Sequence, residues 1–589
     1  MIYNRQEHWQ FLEEELRAQT EAFKQKLDTS ALFLLQEKEE LFVAQFLKFK
    51  EGELILKFSN HRSLPRQGEY LYCFTVPKEL RDYRNWGDKT YGDLIKEKTN
   101  FSEIVCMWQA PSHEKDFSIA GFKNVDIEFS NQIQTCEGMI LLLGPNPPPI
   151  EYISSLQKIV LKENNETLNK LFDQDFQVSD WTSTLIDSNK NISDFVLQQL
   201  MLQDDIIIHG PPGTGKTYLI AEICEKLCIQ EKSVLVSALT NRALIEIIDK
   251  KALKDLLKNQ RIFKTKLSVD EEILFPDLKK TLEISPKPGS LILSTFYISS
   301  SQAAQTITEH PFDYVIVDEA SQALLAMLGG AKLLGKKNIW IGDTKQLPPV
   351  IAMSEDKIKR KKYNIFVDGL KALIENASLP VYQLTESYRL TDRAAQYTGI
   401  FYKDTLKSKN KTNTKLLFHD STIDYDKFFN PKGGPTLLKT DLKIGDYKPA
   451  NALMLAKELV SFILSNDDKT HISVLTHYII STKALQKTIF QSLGYHKNLL
   501  IETISRVQGL TTDIAIFVIP NTGYHRSLEN RLFNVATSRA KRHTLIITDT
   551  HILSQSYIDD EVKHYLNKLD TEFSFYIPFE TDIKMLQQK

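Results

Sequence analysis

The stretch GPPGTGKT, residues 210–217, constrains the fold of this chain more than any other feature of its sequence. It fits the pattern GxxxxGK[ST], it directly follows the apolar run DDIIIH, and apolar residues at helical spacing come after it. A strand, a glycine-rich loop and a helix in this order form a phosphate-binding loop, whose backbone N–H groups surround phosphate oxygens. We predict that the loop binds a nucleotide through Gly210, Pro211, Pro212, Gly213, Thr214, Gly215, Lys216 and Thr217.

Within this loop, four positions have specific chemical roles. Gly213 and Gly215 allow the backbone to curl toward the phosphates. Lys216 would place its charge on the β- and γ-phosphates, and the Thr217 hydroxyl would be a ligand of Mg²⁺. The loop alone therefore predicts a nucleoside triphosphate bound together with Mg²⁺.

The stretch YVIVDEASQ, residues 314–322, predicts the second half of a nucleotide site. Its apolar run is a strand that delivers Asp318 and Glu319 to the carboxyl edge of a parallel sheet, where ligands bind in such folds. Asp318 would act on Mg²⁺, directly or through water, and Glu319 would be the general base for the attacking water. The stretch GDTKQLPP follows the next strand, so Gln346 should reach the same edge and contact the γ-phosphate or the water.

Short apolar runs that recur after residue 190 predict two sets of parallel strands separated by helices. The first set is DDIIIHG (204–210), SVLVSAL (233–239), LILSTF (291–296), YVIVD (314–318) and NIWIGD (338–343), and the second is HISVLT (471–476), LIETIS (500–505), IAIFVIP (514–520) and HTLIITD (543–549). Two α/β domains in tandem are the simplest interpretation.

The N-terminal third has a different pattern. Trp9, Leu12, Leu16, Phe23 and Leu27 predict an amphipathic first helix. From residue 40 the pattern is strand-like, with FLKFKEGELILKF (46–58) predicted as two strands joined at Glu51–Gly52, and a second helical stretch is predicted from 153 to 172. A small β module between two helices follows from this order.

Composition and cysteine spacing exclude some classes of protein. The 589 residues are too many for one hydrophobic core, and a net charge of −2 indicates no particular partner. The five cysteines form no CxxC pair, so no zinc or iron–sulfur module is predicted, and Cys224 and Cys228 are expected in the core. Because there is no signal pattern and no apolar run near membrane-spanning length, we expect a cytoplasmic protein without a membrane partner.

The ordered set of motifs across residues 190–550 resembles the superfamily 1 helicases, subfamily B, of the Upf and Dna2/Nam7 type. The matching stretches are GPPGTGKT, SALTNRALIEI (237–247), LILSTF, VDEASQA, GDTKQLPP, LTESYRL (384–390), FYKDTL (401–406), ISVLTHY (472–478), ETISRVQGLTTD (502–513) and NVATSRAKRH (534–543). The resemblance implies an α/β fold of two tandem RecA-like P-loop domains with an N-terminal helical stalk and a small β-barrel insertion.

The resemblance also implies domain boundaries. These are a first stalk helix (1–39), the β-barrel module (40–146), a second stalk helix with linker (147–190), the first RecA-like domain (191–382) and the second (383–589).

By the same resemblance, the bound nucleotide is ATP, and three further residues act on it. Tyr388 would stack on the adenine, while Arg389 and Arg539 would reach the γ-phosphate. An arginine finger is physically reasonable there because hydrolysis develops charge on the transferring group.

The family pattern further implies contacts to single-stranded nucleic acid. The residues at the matching positions are Thr240, Asn241, Ser294, Thr295, Thr503, Arg506, Gln508 and Gly509. Short hydroxyl, amide and backbone groups suit phosphates and sugars and read no base sequence. Phe296 and Tyr297 are open between stacking on bases and core packing, whereas Trp340 is expected in the core because it lies inside a predicted strand.

Three departures from the family pattern concern base and sugar recognition. The adenine-reading Gln before the phosphate loop is not evident, since Asn191 and Asp194 stand in that region. The pattern TPY-x-x-Q ends here at Ser481, and Thr511 replaces a Glu that often contacts the ribose.

The sequence therefore predicts an ATP hydrolase that moves 5′ to 3′ along a single strand and unwinds a duplex with a single-stranded tail, on DNA or RNA, as a monomer. Two alternatives remain open. One is an AAA-type protein remodeller, and the other is an ATPase clamp or signalling module on nucleic acid that does not unwind it.

Overall fold

The computed structural model describes residues 4–59, 64–112, 114, 116–135, 138–162, 165–172, 183–187, 191–306, 310–375, 379–414, 425–507, 509–522, 526–555 and 557–578. The chain divides into two compact units, the first with residues 1–209, 216–344 and 348–383, the second with 210–215, 345–347 and 384–589. Two loop segments, 210–215 and 345–347, thus belong to the second unit although the strands before them belong to the first.

The N-terminal part of the first unit contains a closed antiparallel barrel. Its strands within the described residues are β1 Phe42–Lys50, β2 Glu53–Ser59, β3 Tyr70–Thr75, β4 Asn100–Pro111, β5 Phe117–Lys123 and β6 Ile140–Gly144. They are ordered β1–β2–β5–β4–β3–β6, which closes the sheet and leaves no exposed edge. The prediction of two strands joined at Glu51–Gly52 is confirmed, since β1 pairs antiparallel with β2.

The rest of the first unit is built on a larger sheet. Its strands are β7 Thr184–Ile186, β8 Asp205–His209, β9 Val234–Ala238, β10 Ile262–Lys264, β11 Lys279–Lys280, β12 Leu291–Thr295, β13 Phe312–Val317, β14 Gly335–Gly342 and β15 Val381–Leu384. Within the described residues they form one nine-stranded sheet, ordered β11–β10–β12–β9–β13–β14–β8–β15–β7. The central pairings are parallel, as the continuous apolar runs predicted.

Helices surround both sheets of this unit. They are α1 Arg5–Leu27, α2 Ala31–Gln36, α3 Tyr91–Lys96, α4 Ile127–Ile133, α5 Glu151–Val160, α6 Glu166–Phe172, α7 Ile192–Leu202, α8 Lys216–Ile229, α9 Asn241–Ile248, α10 Lys254–Lys258, α11 Val269–Leu274, α12 Phe296–Gln305, α13 Leu325–Leu334, α14 Glu355–Lys361, α15 Asn364–Val367 and α16 Gly369–Glu375. The single helix predicted over 153–172 is wrong, because α5 and α6 are separate helices there.

The barrel is attached to the larger sheet through α11. The backbone N–H of Asn124 donates to the Asp270 carboxylate at 3.1 Å, and that of Val269 donates to the Val125 carbonyl at 3.0 Å. At the tip of the β1–β2 hairpin, Gly52 has a φ of 81°, and a Cβ there would lie 2.7 Å from the Asp270 Cα. Glycine is therefore required at this contact.

The core of the first unit confirms several sequence predictions. Trp340, Cys224 and Cys228 have no exposed surface. Phe296 is buried in the same core, and the Tyr297 ring packs edge-on against Tyr152 with centroids 4.7 Å apart. Of the two roles that the sequence allowed for Phe296 and Tyr297, the structure therefore shows packing in or against the core.

Helix α1 packs the predicted Trp9, Leu12 and Leu16 in or against the core, but most of its fully buried residues lie beside the predicted ones. Its buried residues are His8, Phe11, Leu12 and Glu15, of which the prediction included only Leu12. The Glu15 carboxylate accepts hydrogen bonds from the backbone N–H groups of Ala352 at 2.8 Å and Met353 at 3.0 Å. A polar contact thus accounts for the burial of Glu15, which the spacing of apolar residues alone could not indicate.

The burial of His8 leads to a pH-dependent stability. Its ring stacks on Phe366 with centroids 4.4 Å apart, and burial lowers its pKa from 6.5 to about 3. Because the folded state favours the neutral ring, His8 contributes stability that is complete above pH 6.5 and is lost as the pH falls toward 3. From pH 6 to pH 5 this loss should be about 1 kcal/mol.

We expect a His8→Phe variant to lose this part of the pH dependence while it keeps the aromatic stack. Urea unfolding at pH 7, 6 and 5 measures the difference between variant and wild type. His564→Gln, at an exposed histidine of the second unit, is the control and should follow the wild-type curve. A His8→Phe curve with the wild-type pH dependence would contradict a buried neutral His8.

The second unit is a smaller α/β structure. Its strands are β16 Glu386–Ser387, β17 Lys407–Ser408, β18 Gly434–Thr440, β19 Ile472–Thr476, β20 Leu499–Thr503, β21 Thr512–Val518, β22 Ala540–Asp549 and β23 Ser574–Tyr576, and its helices are α17 Asp392–Gly399, α18 Ala450–Asn466, α19 Ile479–Leu493, α20 Asn530–Thr537 and α21 Asp560–Glu572. Among the described residues, β18–β23 form a six-stranded parallel sheet ordered β20–β19–β21–β22–β18–β23. The fold is therefore α/β with two parallel sheets, as predicted, while the exact domain boundaries stay a prediction.

Among the helices that the structure describes, none has the length and apolar character needed to cross a membrane.

Candidate active site

The predicted residues of the first unit converge on one edge of the nine-stranded sheet. Strands β12, β9, β13, β14 and β8 are neighbours and run parallel, so their carboxyl ends lie side by side. Thr240, Asp318 and Asp343 follow the ends of β9, β13 and β14, and Thr295 ends β12. Ligands bind at this edge in open α/β sheets. The predicted acidic pair and residues predicted to contact nucleic acid thus lie at this edge.

The two carboxylates after β13 have an unusual environment. Asp318 is buried, and its Oδ1 accepts a hydrogen bond from the Glu319 backbone N–H at 2.9 Å. Burial and the neighbouring charge of Glu319 raise the Asp318 pKa well above its usual range, which Lys216 partly opposes. Glu319 itself has a left-handed φ of 51°. Such strain in a residue other than glycine is typical of functional sites, so the backbone here supports a chemical role for Glu319.

These residues fit a magnesium ion. A buried carboxylate beside a second one is stabilised by a nearby cation, and carboxylate and hydroxyl oxygens suit Mg²⁺. No cluster of three or more His, Cys, Asp or Glu side chains among the described residues could hold a metal. Mg²⁺ commonly binds through one or two protein oxygens together with substrate phosphates, which matches the predicted pair Asp318 and Thr217.

A buried polar cluster links the strand before the phosphate loop to the strand after the acidic pair. His209, the last residue of β8, places its Nε2 at 3.3 Å from Asp343 Oδ1 and 3.2 Å from Thr344 Oγ1. The Thr344 backbone N–H also points to this nitrogen at 3.3 Å. Sequence reasoning gave His209 no role, although its position directly before GPPGTGKT was a usable signal.

In the second unit, the phosphate loop packs on the segment Ser387–Arg389. The Ser387 hydroxyl donates to the Pro212 carbonyl at 2.9 Å, and the Tyr388 N–H donates to the Gly213 carbonyl at 2.8 Å. Gly213 has a φ of +74°, and a Cβ there would lie 2.5 Å from Arg389 Cβ. The loop therefore requires glycine for its backbone conformation and for its contact with Arg389.

Tyr388 lies beside the same loop. Its side chain is exposed, and its ring carbons lie 3.8–3.9 Å from where a Gly215 Cβ would be. An exposed aromatic face next to a phosphate loop is compatible with the predicted stacking on adenine, which stays a prediction.

The two predicted arginines differ in environment. Arg539 is 2% exposed, donates to the carbonyls of Val535 at 2.8 Å and Leu510 at 3.2 Å, and places Nη2 3.4 Å from Gln346 Oε1. Arg389 is half-buried and donates from Nη1 to the Ser538 carbonyl at 3.1 Å. The structure thus brings Gln346 and Arg539 together, and Arg389 reaches the residue before Arg539.

Asn534 holds the loop that carries Gln346. Its side-chain amide donates to the Lys345 carbonyl at 2.8 Å and to the Tyr402 hydroxyl at 2.8 Å. Asn534 lies in the stretch NVATSRAKRH that carries the family resemblance, but no role was predicted for this residue.

The four residues of the first unit that were predicted to contact single-stranded nucleic acid differ in their burial and hydrogen bonds. Thr240 caps α9 by accepting a hydrogen bond from the Ala243 N–H at 3.2 Å, and the Asn241 side chain accepts one from Lys264 Nζ at 3.0 Å. Thr295 is buried, and Ser294 has no exposed surface. All four lie at the carboxyl edge, where Thr240 is the N-cap residue of α9 and Thr295 is the N-cap residue of α12.

Lys264 is held by a buried ion pair. Both Glu271 oxygens lie within 3.1 Å of its Nζ, and the two side chains are almost fully buried. Burial lowers the pKa of Lys264 and raises that of Glu271, although each stabilises the charge of the other. Lys264 of this pair donates to the Asn241 side chain, and Glu271 belongs to α11, the helix that contacts the barrel.

The predicted contacts of the second unit follow the end of β20. Buried Glu502 accepts hydrogen bonds from the Thr503 N–H at 2.7 Å and hydroxyl at 3.1 Å, and it lies 3.7 Å from Arg506. Gly509 is exposed with a φ of +83°. Gln508 lies outside the described residues. Glu502 thus positions two predicted contacts and was missed by sequence reasoning.

The departures from the family pattern also have structural roles. Asn191 caps α7 by accepting from the Asp194 N–H, and the Asp194 carboxylate pairs with Lys226 at 2.5 Å. Ser481 donates its hydroxyl to the Tyr447 carbonyl at 2.5 Å. These residues hold the local backbone, so each is accounted for without a ligand.

Two family models, each described as an AAA domain, match the chain. One, AAA_11, matches residues 185–283 and 280–354, and the other, AAA_12, matches residues 368–551. Together they account for more than half of the chain.

Curated relatives are distant in sequence. The chain is 25% identical over 425 residues to the DNA replication ATP-dependent helicase/nuclease DNA2 of Saccharomyces cerevisiae, covering 65% of this chain and 27% of that protein. It is 22% identical over 484 residues to an uncharacterised ATP-dependent helicase of Methanocaldococcus jannaschii (64% of this chain and 70% of that protein). It is 23% identical over 441 residues to DNA-binding protein SMUBP-2 of Rattus norvegicus (64% and 44%). The match thus spans about a quarter of the yeast protein's length and under half of the rat protein's.

Solved structures that align with the chain include the Arterivirus nonstructural protein 10 helicase, with 12% identity and a TM-score of 0.35 over 85% of this chain and 79% of that one. The PRRSV helicase aligns with 17% identity and a TM-score of 0.33 over 67% and 68%. At such TM-scores the likeness is loose, and the fold is defined by the strand orders given above.

Proposed function

Because the chain belongs to the AAA-domain family of superfamily 1 helicases of the Upf and Dna2 type, we propose that it is an ATP-dependent translocase on single-stranded nucleic acid. It would couple ATP hydrolysis to movement in the 5′-to-3′ direction and to separation of a duplex that has a single-stranded tail. The observation that carries the proposal is the convergence of Asp318, Glu319, Thr240 and Asn241 on one carboxyl edge of a parallel sheet.

For hydrolysis, each of these residues would have a separate role in binding the nucleotide or in catalysis. The backbone N–H groups of loop 210–215 and the Lys216 ammonium would bind the ATP phosphates. Thr217 and Asp318 would hold Mg²⁺, which supplies positive charge to the phosphates. Glu319 would accept a proton from the attacking water as general base, and its left-handed backbone conformation directly after buried Asp318 supports this assignment.

Arginine and glutamine residues would respond to the γ-phosphate. The 3.4 Å contact of Arg539 with Gln346 supports a joint role, because a displacement of either side chain would change their hydrogen bond. Arg389 would neutralise charge that develops on the transferring phosphoryl group. The packing of its Cβ against Gly213 of the phosphate loop supports this role.

For strand binding, the hydroxyl and amide groups at both carboxyl edges would contact phosphates and sugars. Such contacts read no base sequence, so binding should depend on salt and not on the order of bases. Thr240, Asn241 and Arg506 are exposed or partly exposed, which supports this role, and the buried Thr503 is held near Arg506 by Glu502. Ser294, Gln508 and Gly509 complete the proposed set with Thr295.

Steady-state ATP turnover measured with and without single-stranded DNA or RNA tests the proposal. We expect at least one of the two to stimulate hydrolysis several-fold, and a Lys216→Ala variant to remain inactive with both. If neither strand changes the turnover, the translocase proposal fails. Stimulation without any strand displacement would instead favour an ATPase clamp.

A further inference from the structure

The second unit exposes a patch of apolar and aromatic side chains that the proposed mechanism does not use. We name it the Tyr447 patch and define it by Ile444, Tyr447, Tyr478, Ile479 and Ile480. Exposed fractions are 87% for Ile444, 39% for Tyr447, 54% for Ile479 and 47% for Ile480. Adjacent exposed apolar side chains of this kind on a polar surface mark a binding site.

The two tyrosines of the patch are held in place. Their rings are perpendicular, at 86°, with centroids 4.9 Å apart. The Tyr447 carbonyl accepts a hydrogen bond from the Ser481 hydroxyl, and the Gly445 N–H donates to the Asn521 carbonyl at 2.7 Å. The loop around Tyr447 is therefore anchored to residues that follow β19 and β21. A ring that is already fixed loses little conformational entropy when a flat ligand stacks on it.

The patch lies near residues that were predicted to contact single-stranded nucleic acid. In the sheet, Thr476 at the end of β19 is paired with Thr503 at the end of β20. Tyr478, Ile479 and Ile480 follow Thr476 after His477, and Arg506 follows Thr503 after one short turn. The patch and the predicted backbone contacts thus share the same carboxyl edge.

The charge around the patch suits a polyanion. Lys443 and Lys448 flank Tyr447 in the loop and are exposed. Arg526 lies close enough to His477 to help burial lower the pKa of His477, so it adds a further positive charge. The nearest acidic residue in the loop, Asp446, accepts a hydrogen bond from the Lys448 backbone N–H at 2.8 Å. A site with aromatic faces and flanking cations is typical of proteins that bind single strands.

We infer that the Tyr447 patch is a stacking site for a base of single-stranded nucleic acid, with Tyr447 as the platform and Ile444, Ile479 and Ile480 as apolar walls. The flanking lysines would contact the adjoining phosphates. This inference rests on the proposed function and adds a base contact to a set of residues that otherwise bind only the backbone. Because every base has a π-face, the site tolerates any sequence.

Equilibrium binding of a labelled oligodeoxythymidylate and a labelled oligouridylate to the full chain tests the inference. We expect Tyr447→Ala to weaken binding of the preferred strand about tenfold, because the variant loses the stacking of one base on the ring. Tyr447→Phe should restore binding to within about twofold because it keeps the ring. Ile444→Ser, at a position too exposed to affect folding, should weaken binding several-fold.

The salt dependence separates stacking from phosphate contacts. Tyr447→Ala should lower the affinity by the same factor at every salt concentration, whereas Lys443→Gln should reduce the slope of log K against log salt by about 0.7. Tyr557→Ala, at another exposed tyrosine of the same unit, is the control and should bind like the wild type.

Three outcomes overturn the inference. If the wild type binds a strand and Tyr447→Ala binds it equally well, the patch is not a strand site and the proposed function still stands. If Tyr447→Ala and Tyr447→Phe are equally weak, the ring does not act by stacking. If the wild type binds neither oligonucleotide, the proposed function fails together with the stacking site.

Discussion

Replacing Glu319 by Gln should lower the steady-state ATP turnover at least about 100-fold, because a general base contributes roughly 10²–10⁴ to the rate. The change keeps the size of the side chain and removes only its capacity to take a proton from water. The left-handed backbone of Glu319 and the contact of its N–H with Asp318 do not depend on the carboxylate, so the local fold should persist. Binding of ATP and of the strand should therefore survive.

Radiometric or coupled-assay turnover at saturating ATP, with nucleotide affinity measured in parallel, checks this prediction. Glu222→Gln is the matched control, because Glu222 is an exposed residue of α8, the helix that follows the phosphate loop. It should keep wild-type turnover. Turnover of the Glu319→Gln variant near the wild-type value would remove Glu319 from the role of base.

Replacing Arg389 by Ala should lower kcat by about 10³–10⁵, which is the contribution of an arginine finger to phosphoryl transfer. Arg389 is half-buried and donates to the Ser538 carbonyl, so its loss should lower the free energy of unfolding less than the loss of the buried Arg539 does. Arg389→Lys should recover only part of kcat, because an ammonium cannot form the bidentate contact of a guanidinium.

Arg539→Ala should differ from Arg389→Ala in its effect on stability. The Arg539 guanidinium donates hydrogen bonds to the carbonyls of Val535, Val507 and Leu510. Its removal leaves these buried acceptors without that donor. Both turnover and unfolding free energy should therefore fall. Lys541→Ala, an exposed side chain in the same segment, should change neither. Unchanged kcat in both arginine variants would show that neither residue acts on the phosphoryl group.

The strands and motifs could be predicted from the sequence because both depend on local pattern. Apolar runs such as DDIIIH and YVIVD indicate buried parallel strands. Each of the predicted nucleotide-binding segments directly follows such a run. The carboxyl-edge rule then placed Asp318 and Glu319 at the edge of the sheet without any tertiary information. The core positions of Trp340, Cys224 and Cys228 followed from the same local periodicity.

The supporting polar contacts could not be predicted because they join residues far apart in the chain. Glu15 accepts hydrogen bonds from Ala352 and Met353, and Lys264 joins Glu271 to Asn241. A charged residue on a helix is most often exposed, so nothing in the sequence marks Glu15 or Lys264 as buried. His209 and Glu502 were missed for a similar reason, since their partners are defined only when neighbouring strands pair.

Displacement of a labelled strand from duplexes that carry a single-stranded tail at the 5′ end or at the 3′ end tests the central claim most directly. With ATP and Mg²⁺, the wild type should displace the strand from a 5′-tailed duplex of DNA or RNA, and the Glu319→Gln variant should bind this duplex without displacing it. ATP hydrolysis stimulated by single strands with no displacement from either tailed duplex would contradict an unwinding translocase.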